Sequence, residues 1–339
     1  MNGKMFFKKQ SNVTFLKTLI YEKYISSYLS RMLTQTKKIY IADLCCGSGK
    51  NAKNNGSPLI LIDIIKDLFK RNKLLCSTLE IEVIFNDSNK DLIKTLKWRI
   101  SQEDLPPNAK ITFYCSKYEV LIKKIVPAME ADSYKFFFLD TFYYTQISLE
   151  NLKTILNAGN AEILLFFPIA HMFRFSNYYT FKGKGREFFE TYTTKGCYRY
   201  KTVYDFTESI RKKLSSQLKT KWVRDILLKD SNRINGLFLI SEQQESMVAI
   251  NNIFWNYTGN GLDISIDNYS KYDLPITNRT IEAKKILSSF KNALIDKIAK
   301  GTKDLKTFAA LKKISCTHLK TVLNDLLAAE KIKKNVLLG

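Results

Sequence analysis

Five short apolar runs with amphipathic stretches between them constrain the fold of this 339-residue chain more than any motif in it. The runs are residues 38–44, 80–85, 110–114, 134–139 (YKFFFL) and 162–167, and the stretches 58–69, 90–100, 120–129 and 149–156 repeat apolar residues at helical spacing. Runs this short, apolar on successive positions, suit strands covered on both faces. Strands alternating with helices make βαβ units, so the expected core is a mainly parallel, doubly wound α/β sheet. A leading helix over residues 12–36 is expected from Phe15, Leu19, Ile20, Tyr24, Ile25, Tyr28 and Leu29.

Two further strand-like runs, KWVRDILLK (221–229) and INGLFLIS (234–241), are joined by the turn-forming DSNR and predict an antiparallel hairpin closing one edge. Residues 258–277 are turn-rich and read as a linker. After it, 279–299, LKTFAALKKI and SCTHLKTVLNDLLAAEKI read as helices, with Ser315 as an N-cap and KKNVLLG as a short basic strand. That order resembles a winged helix; a helical dimerisation or docking module is the other reading. The expected organisation is a helical extension (1–36), an α/β domain (37–257), the linker, and a C-terminal helical domain (278–339).

The first strand ends in IYIADLCCGSGK. Asp43 lies at its carboxyl end, and Gly47 and Gly49 permit a tight turn where backbone can approach a ligand. A dinucleotide fingerprint would continue with a third glycine opening a helix, whereas here a polar insertion, KNAKNNGSP, comes first, which disfavours NAD. The second strand leads into FND, where Asp87 is placed to accept hydrogen bonds from ribose hydroxyls; Asp63, the rival by distance from the loop, is expected on the helix whose stripe is Leu59, Ile62, Ile65 and Phe69. Cys115 and Ser116 end the third strand, in position to flank an adenine. Cys45 and Cys46 point to opposite faces and find no nearby partner, so they read as space-fillers and no metal is expected.

The fourth strand runs into Asp140, Thr141, Phe142 and Tyr143. An acid followed by an aromatic ring at this position suits amino-group methylation, in which the acid accepts a hydrogen bond from the target amine and the ring stacks on the base. Helix capping is the other role open to Asp140. No cysteine follows that strand to act as the nucleophile of cytosine C5 methylation, and two histidines offer little for hydrolytic His-plus-acid pairs. The run HMFRFSNYYTFKGKGREFF (171–189) reads as a substrate lip or as a solvated helix with apolar anchors.

Fifty-four Lys and Arg against 32 Asp and Glu leave a formal charge of +22, which favours a nucleic-acid partner; drift toward lysine is the bland alternative. Six cysteines without CxxC spacing argue for reduced thiols, and the absence of a leading or membrane-spanning apolar run argues for a cytoplasmic protein with no membrane partner.

The parallel sheet with its terminal hairpin resembles class I S-adenosylmethionine-dependent methyltransferases. DLCCGSG, GSPL, FND, FFFLDTF, EILLFF and INGLFLIS together resemble the three-Cys-motif partner family (TcmP), over most of residues 39–257. Family members commonly read D-L-F-A-G-x-G where this chain has Asp43 to Gly49, and D-P-F-G where it has Asp140 to Tyr143. The resemblance implies S-adenosylmethionine as cofactor, held by Asp43, Gly47, Gly49, Asp87, Cys115 and Ser116, and Asp140, Phe142 and Tyr143 at the chemistry. It also implies a partner of the cysteine-motif, radical-enzyme-like type. The resulting expectation is a methyltransferase acting on nucleic acid at a base amino group, or a partner subunit that keeps the fold without turnover.

Overall fold

The computed structural model describes residues 12–51, 54–141, 146–176, 183–194, 200–220, 222–230, 233–258, 261, 263–265, 281–302 and 304–332. The chain separates into two compact units, Met1–Glu242 and Gln243–Gly339.

In the first unit, α1 (Asn12–Met32) precedes β1 (Lys38–Asp43). The chain then alternates through α2 (Ser57–Arg71), β2 (Glu80–Asn86), α3 (Lys90–Ile100), β3 (Ala109–Tyr114), α4 (Tyr118–Ile125), β4 (Tyr134–Leu139), α5 (Leu149–Leu156) and β5 (Ala161–Phe167). Helices α6 (Ile169–Ser176), α7 (Lys184–Tyr192) and α8 (Val203–Gln217) lead to the hairpin of β6 (Trp222–Asp230) and β7 (Arg233–Ser241). These seven strands lie in the order β3-β2-β1-β4-β5-β7-β6. The pairs β3·β2, β2·β1, β1·β4 and β4·β5 are parallel, while β7 runs antiparallel to both β5 and β6. This is the class I methyltransferase-like α/β arrangement that the run of apolar segments and the hairpin predicted. The direction of winding reverses between β1 and β4, and in open α/β sheets ligands bind outside the carboxyl ends of the strands at such a switch point.

YKFFFL is apolar from Phe136 to Leu139 because both of its faces are covered, and the one charged residue, Lys135, is buried with its ammonium donating to the carbonyls of Ala131, Ser133 and Gly159. Phe137 and Leu139 belong to the cluster formed with Leu121, Leu152, Ile155 and Phe167. Phe136 and Phe138 point the other way, onto a ladder of tyrosines from α1: Tyr21 lies 4.6 Å from Phe138, and Tyr28 5.3 Å from Phe136, between ring centroids. Tyr21, Tyr24 and Tyr28 are three or four residues apart and therefore share one helix face. Burying these rings stabilises the packing, offset at Tyr21 and Tyr28 by hydroxyls buried without a partner, and makes α1 a structural cover of the sheet.

The second unit contains α9 (Gln244–Thr258), α10 (Ile281–Ala299), α11 (Leu305–Leu311) and α12 (Cys316–Ala328), packed around Trp255, Phe290, Leu294, Leu319, Val322 and Leu326. Asp263–Ser265, inside the stretch read as a linker, is extended. The strand expected at 333–339 lies outside the described residues. Among the described residues, no helix is long and apolar enough to cross a membrane.

Candidate active site

β1 delivers Asp43 fully buried at its carboxyl end, and its partners come from the next helix. Gly56 caps α2 and Pro58 occupies its first turn, which places Ser57 to donate from Oγ to Asp43 Oδ2 at 2.6 Å. Asp43 Oδ1 is buried without a hydrogen-bond partner. Burial raises the Asp43 carboxyl to about 7; the nearby charge of Asp140 adds to the rise, and the Ser57 bond and Lys17 pull it back.

The loop after Asp43 turns through Gly47 (φ +62°) and Gly49 (φ +84°), left-handed values that a side chain rarely adopts. Gly49 is doubly constrained, because a Cβ there would stand 2.7 Å from Leu96 Cδ1. At Gly47 an added Cβ would meet nothing within 4 Å. The polar insertion that follows folds into a two-residue antiparallel ribbon, Lys50–Asn51 with Asn54–Asn55, closed by Gly56 N–H donating to Gly49 O at 2.8 Å. Arg99 of α3 donates to the Ser48 carbonyl and holds the loop from outside.

Asp87 stands directly after β2 and is buried. Its Oδ2 accepts from Gly47 N at 3.0 Å and its Oδ1 from Asn89 N at 2.8 Å. Each carboxylate oxygen has a second lone pair, so acceptor capacity remains for a ligand. Asp63 lies on α2, where the stripe of Leu59, Ile62, Ile65 and Phe69 placed it; it is exposed and accepts from Asn55 Nδ2 at 3.1 Å.

Asn86, which the sequence reading passed over, joins three strand ends. Its Nδ2 donates to Leu44 O at 2.9 Å and to Ser116 O at 3.0 Å, its Oδ1 accepts from Ser116 N at 3.1 Å, and its backbone carbonyl accepts from Cys46 N at 2.9 Å. The signal available was an amide directly before the acid in FND; buried amides of this kind are conspicuous only once their partners are known. Cys115 is exposed, and Ser116 Oγ donates to Lys117 O at 3.2 Å. A cavity of about 340 Å³ opens at these three ends, lined by Leu44, Cys45, Asp87, Ser116, Tyr118 and Glu119 among others. This volume lies within the range of small-molecule sites. Cys46 is buried, whereas Cys45 contributes to the cavity wall.

At the end of β4, Asp140 is 24% exposed and forms an ion pair with Lys17 of α1 through Oδ2. The Lys17 ammonium also sits 4.7 Å from the centre of the Phe166 ring. Thr141 is buried, and its hydroxyl has no partner. Phe142 and Tyr143 lie outside the described residues. His171 is exposed and touches Phe175, while His318 belongs to the second unit, where Ser315 bonds to it.

No protein-family model matches the chain, and the search of curated proteins returned no match. Several solved structures are similar to it. A protein of Legionella pneumophila (LPL1258, family model DUF519) is 12% identical, with 72% of this chain and 92% of that one covered and a TM-score of 0.45. A putative class I S-adenosylmethionine-dependent methyltransferase of Listeria monocytogenes is 12% identical over 66% of this chain and 59% of its own, with a TM-score of 0.34. An S-adenosylmethionine-dependent methyltransferase of Clostridium acetobutylicum is 11% identical over 66% and 91%, with a TM-score of 0.33. The fold is defined by the strand order itself.

Proposed function

We propose that this chain is an S-adenosylmethionine-dependent methyltransferase acting on nucleic acid, at a base amino group. One observation carries the reading: Asp43, Gly47, Gly49 and Asp87 come together at the carboxyl ends of β1 and β2, with Asp140 at the end of the adjoining β4. The residues fit the cofactor in chemistry. Asp87 retains acceptor capacity for a ribose diol, Ser116 supplies a hydroxyl, and Leu44 and Tyr118 supply apolar wall; Asp43, whose Oδ1 lacks a donor, is fully buried and does not line the cavity. When bound, the cofactor supplies a methyl group on a positively charged sulfur. The protein's part is to fix the loop through Asp87 and Arg99 and to orient an acceptor amine at Asp140, which holds its proton-bearing nitrogen by hydrogen bond.

A second reading is a partner subunit that binds the cofactor or nucleic acid without turnover, alongside a cysteine-motif protein of the radical-enzyme type. Two observations favour it: Thr141 stands where a proline would fix the backbone, and Lys17 already occupies Asp140. Calorimetry with S-adenosylmethionine, followed by radiolabelled methyl transfer to total DNA and total RNA, separates the two. Binding with label in either pool supports the enzyme. Binding with no label in either pool favours the subunit, and no binding at all removes both cofactor readings.

A further inference from the structure

We propose that α12 is a duplex-DNA reading helix that enters the major groove with Thr317, Lys320, Thr321 and Asn324. The inference concerns what the second unit binds and does not depend on methyl transfer by the first.

The segment from α11 to α12 is a helix-turn-helix. α11 ends in a two-bond C-terminal motif, with Lys313 N–H donating to Ala310 O at 3.1 Å and Ile314 N–H to Ala309 O at 2.9 Å. Lys313 takes the left-handed position (φ +61°) that glycine usually fills in such turns. After a three-residue turn (312–314), Ser315 starts α12 by accepting from His318 N at 3.2 Å.

Helix α9 pins the turn at three points. Asn251 Nδ2 donates to Ala310 O at 3.1 Å, Trp255 Nε1 to Lys313 O at 2.7 Å, and Cys316 N–H to Asn252 Oδ1 at 3.0 Å. A reading head needs this kind of rigid support, because base contacts depend on placement to within about 0.5 Å.

The two faces of α12 differ sharply in chemistry. Leu319, Val322, Leu323 and Leu326 enter the core of the unit. Thr317, Lys320, Thr321 and Asn324, spaced i, i+3, i+4 and i+7, form an exposed stripe with no apolar anchor. Protein-docking faces are enriched in aromatic residues and methionine, which this stripe lacks. Its side chains are instead those that read base edges: asparagine with adenine, lysine with guanine, threonine with either or with the thymine methyl. Asp325, exposed as well, is turned about 100° around the helix from Asn324 and lies at the edge of the stripe.

Charge complementarity names the occupant. Between residues 284 and 334 the sequence holds thirteen lysines and four acids. Lys284, Lys285, Lys306, Lys312 and Lys331 are exposed in addition to Lys320, in number and sign suited to phosphates. B-form DNA has a major groove wide enough for a helix, whereas the A-form RNA groove is too narrow to be read by side chains, so the duplex is DNA.

The test uses the full chain and a pool of DNA duplexes with a randomised centre, with fluorescence anisotropy on the enriched sequences, on matched RNA duplexes, and at several salt concentrations. Enrichment of particular sequences is expected, with binding at least about tenfold tighter to the selected DNA than to the RNA duplex. Thr321→Ala and Asn324→Ala should flatten that preference. Lys306→Gln and Lys312→Gln should weaken all sequences alike and each reduce the salt slope by about one. Thermal melting verifies that each variant is folded. Equal binding to RNA, equal retention on polyglutamate, absence of enrichment, or unchanged preference in folded Thr321→Ala and Asn324→Ala proteins would each overturn the inference. Methyl label in RNA without DNA enrichment breaks this inference alone; DNA enrichment without methyl label breaks only the methyltransferase reading.

Discussion

The two halves of the candidate site are built in different ways. On the β1–β2–β3 side, the consecutive residues Asn86 and Asp87 accept from the amides of Cys46, Gly47 and Ser116, so one short segment sets the geometry of the loop and of the neighbouring strand end. On the β4 side, Asp140 is held by one ion pair from a helix 123 residues away in sequence. Hydrogen bonds between buried groups fix direction as well as distance, whereas an ion pair at a partly exposed carboxylate can be exchanged for another cation or amine at little cost. The β1–β2–β3 side is therefore preformed, and on the β4 side Asp140 is closed by a group that another cation or an amine can replace.

The sharpest way to break this comparison is at Asp43. Its folded-state carboxyl lies near 7 against 3.8 when unfolded, so the contribution of Asp43 to stability is fullest below about pH 4, falls as the pH rises to about 7, and is level beyond. Asp43→Asn lacks that loss and should gain on wild type by up to about 4 kcal/mol at pH 8 and by little at pH 4. Urea midpoints across this range measure the difference, and a gap that does not grow with pH would show that the carboxylate is solvated.

Next in size is Asn86→Leu, which removes three side-chain hydrogen bonds and strands buried partners, and should cost about 3 kcal/mol by urea unfolding. A loss under 1 kcal/mol would mean that the three ends are held by other contacts. Asp87→Ala should then weaken S-adenosylmethionine binding by at least about tenfold in calorimetry, with Asp63→Ala unchanged; the reverse pattern would move the ribose contact to α2. The smallest effect belongs to Lys17→Met, expected to cost about 1 kcal/mol of stability and to leave cofactor affinity intact. If Lys17 stands in the place of an acceptor amine, its removal should alter KM for the nucleic acid before it alters cofactor binding.

Much of the sheet was legible because its signals are local. Residues 134–139 and 149–156 match the observed elements, and the other strands differ by a residue or so at their ends, since runs apolar on both faces leave little freedom in where a strand begins. The place of Asp87 directly after β2 was legible from its spacing, and the left-handed turn at Gly47 and Gly49 from the backbone that a tight turn requires. Asn86 was not found, because its role depends on carbonyls at residues 44 and 116 that only the folded sheet brings together. The Lys17–Asp140 pair was equally hidden: Lys17 reads as one more solvated lysine on an amphipathic helix until α1 is laid across β4. The insertion after Gly49 was legible as polar but not as a ribbon, for a pair of two-residue strands has no periodicity to display.

The node at Asn86 and Asp87 also bears on how the protein breathes. The amides of Cys46 and Gly47, from one segment, and of Ser116, from another far along the chain, have these two adjacent residues as their acceptors. Opening the end of β2 releases all three at once, so in deuterated buffer they should exchange at a common rate set by one local unfolding event. A ligand seated in the cavity would slow the three amides by the same factor, giving a readout of occupancy that requires neither a known substrate nor turnover.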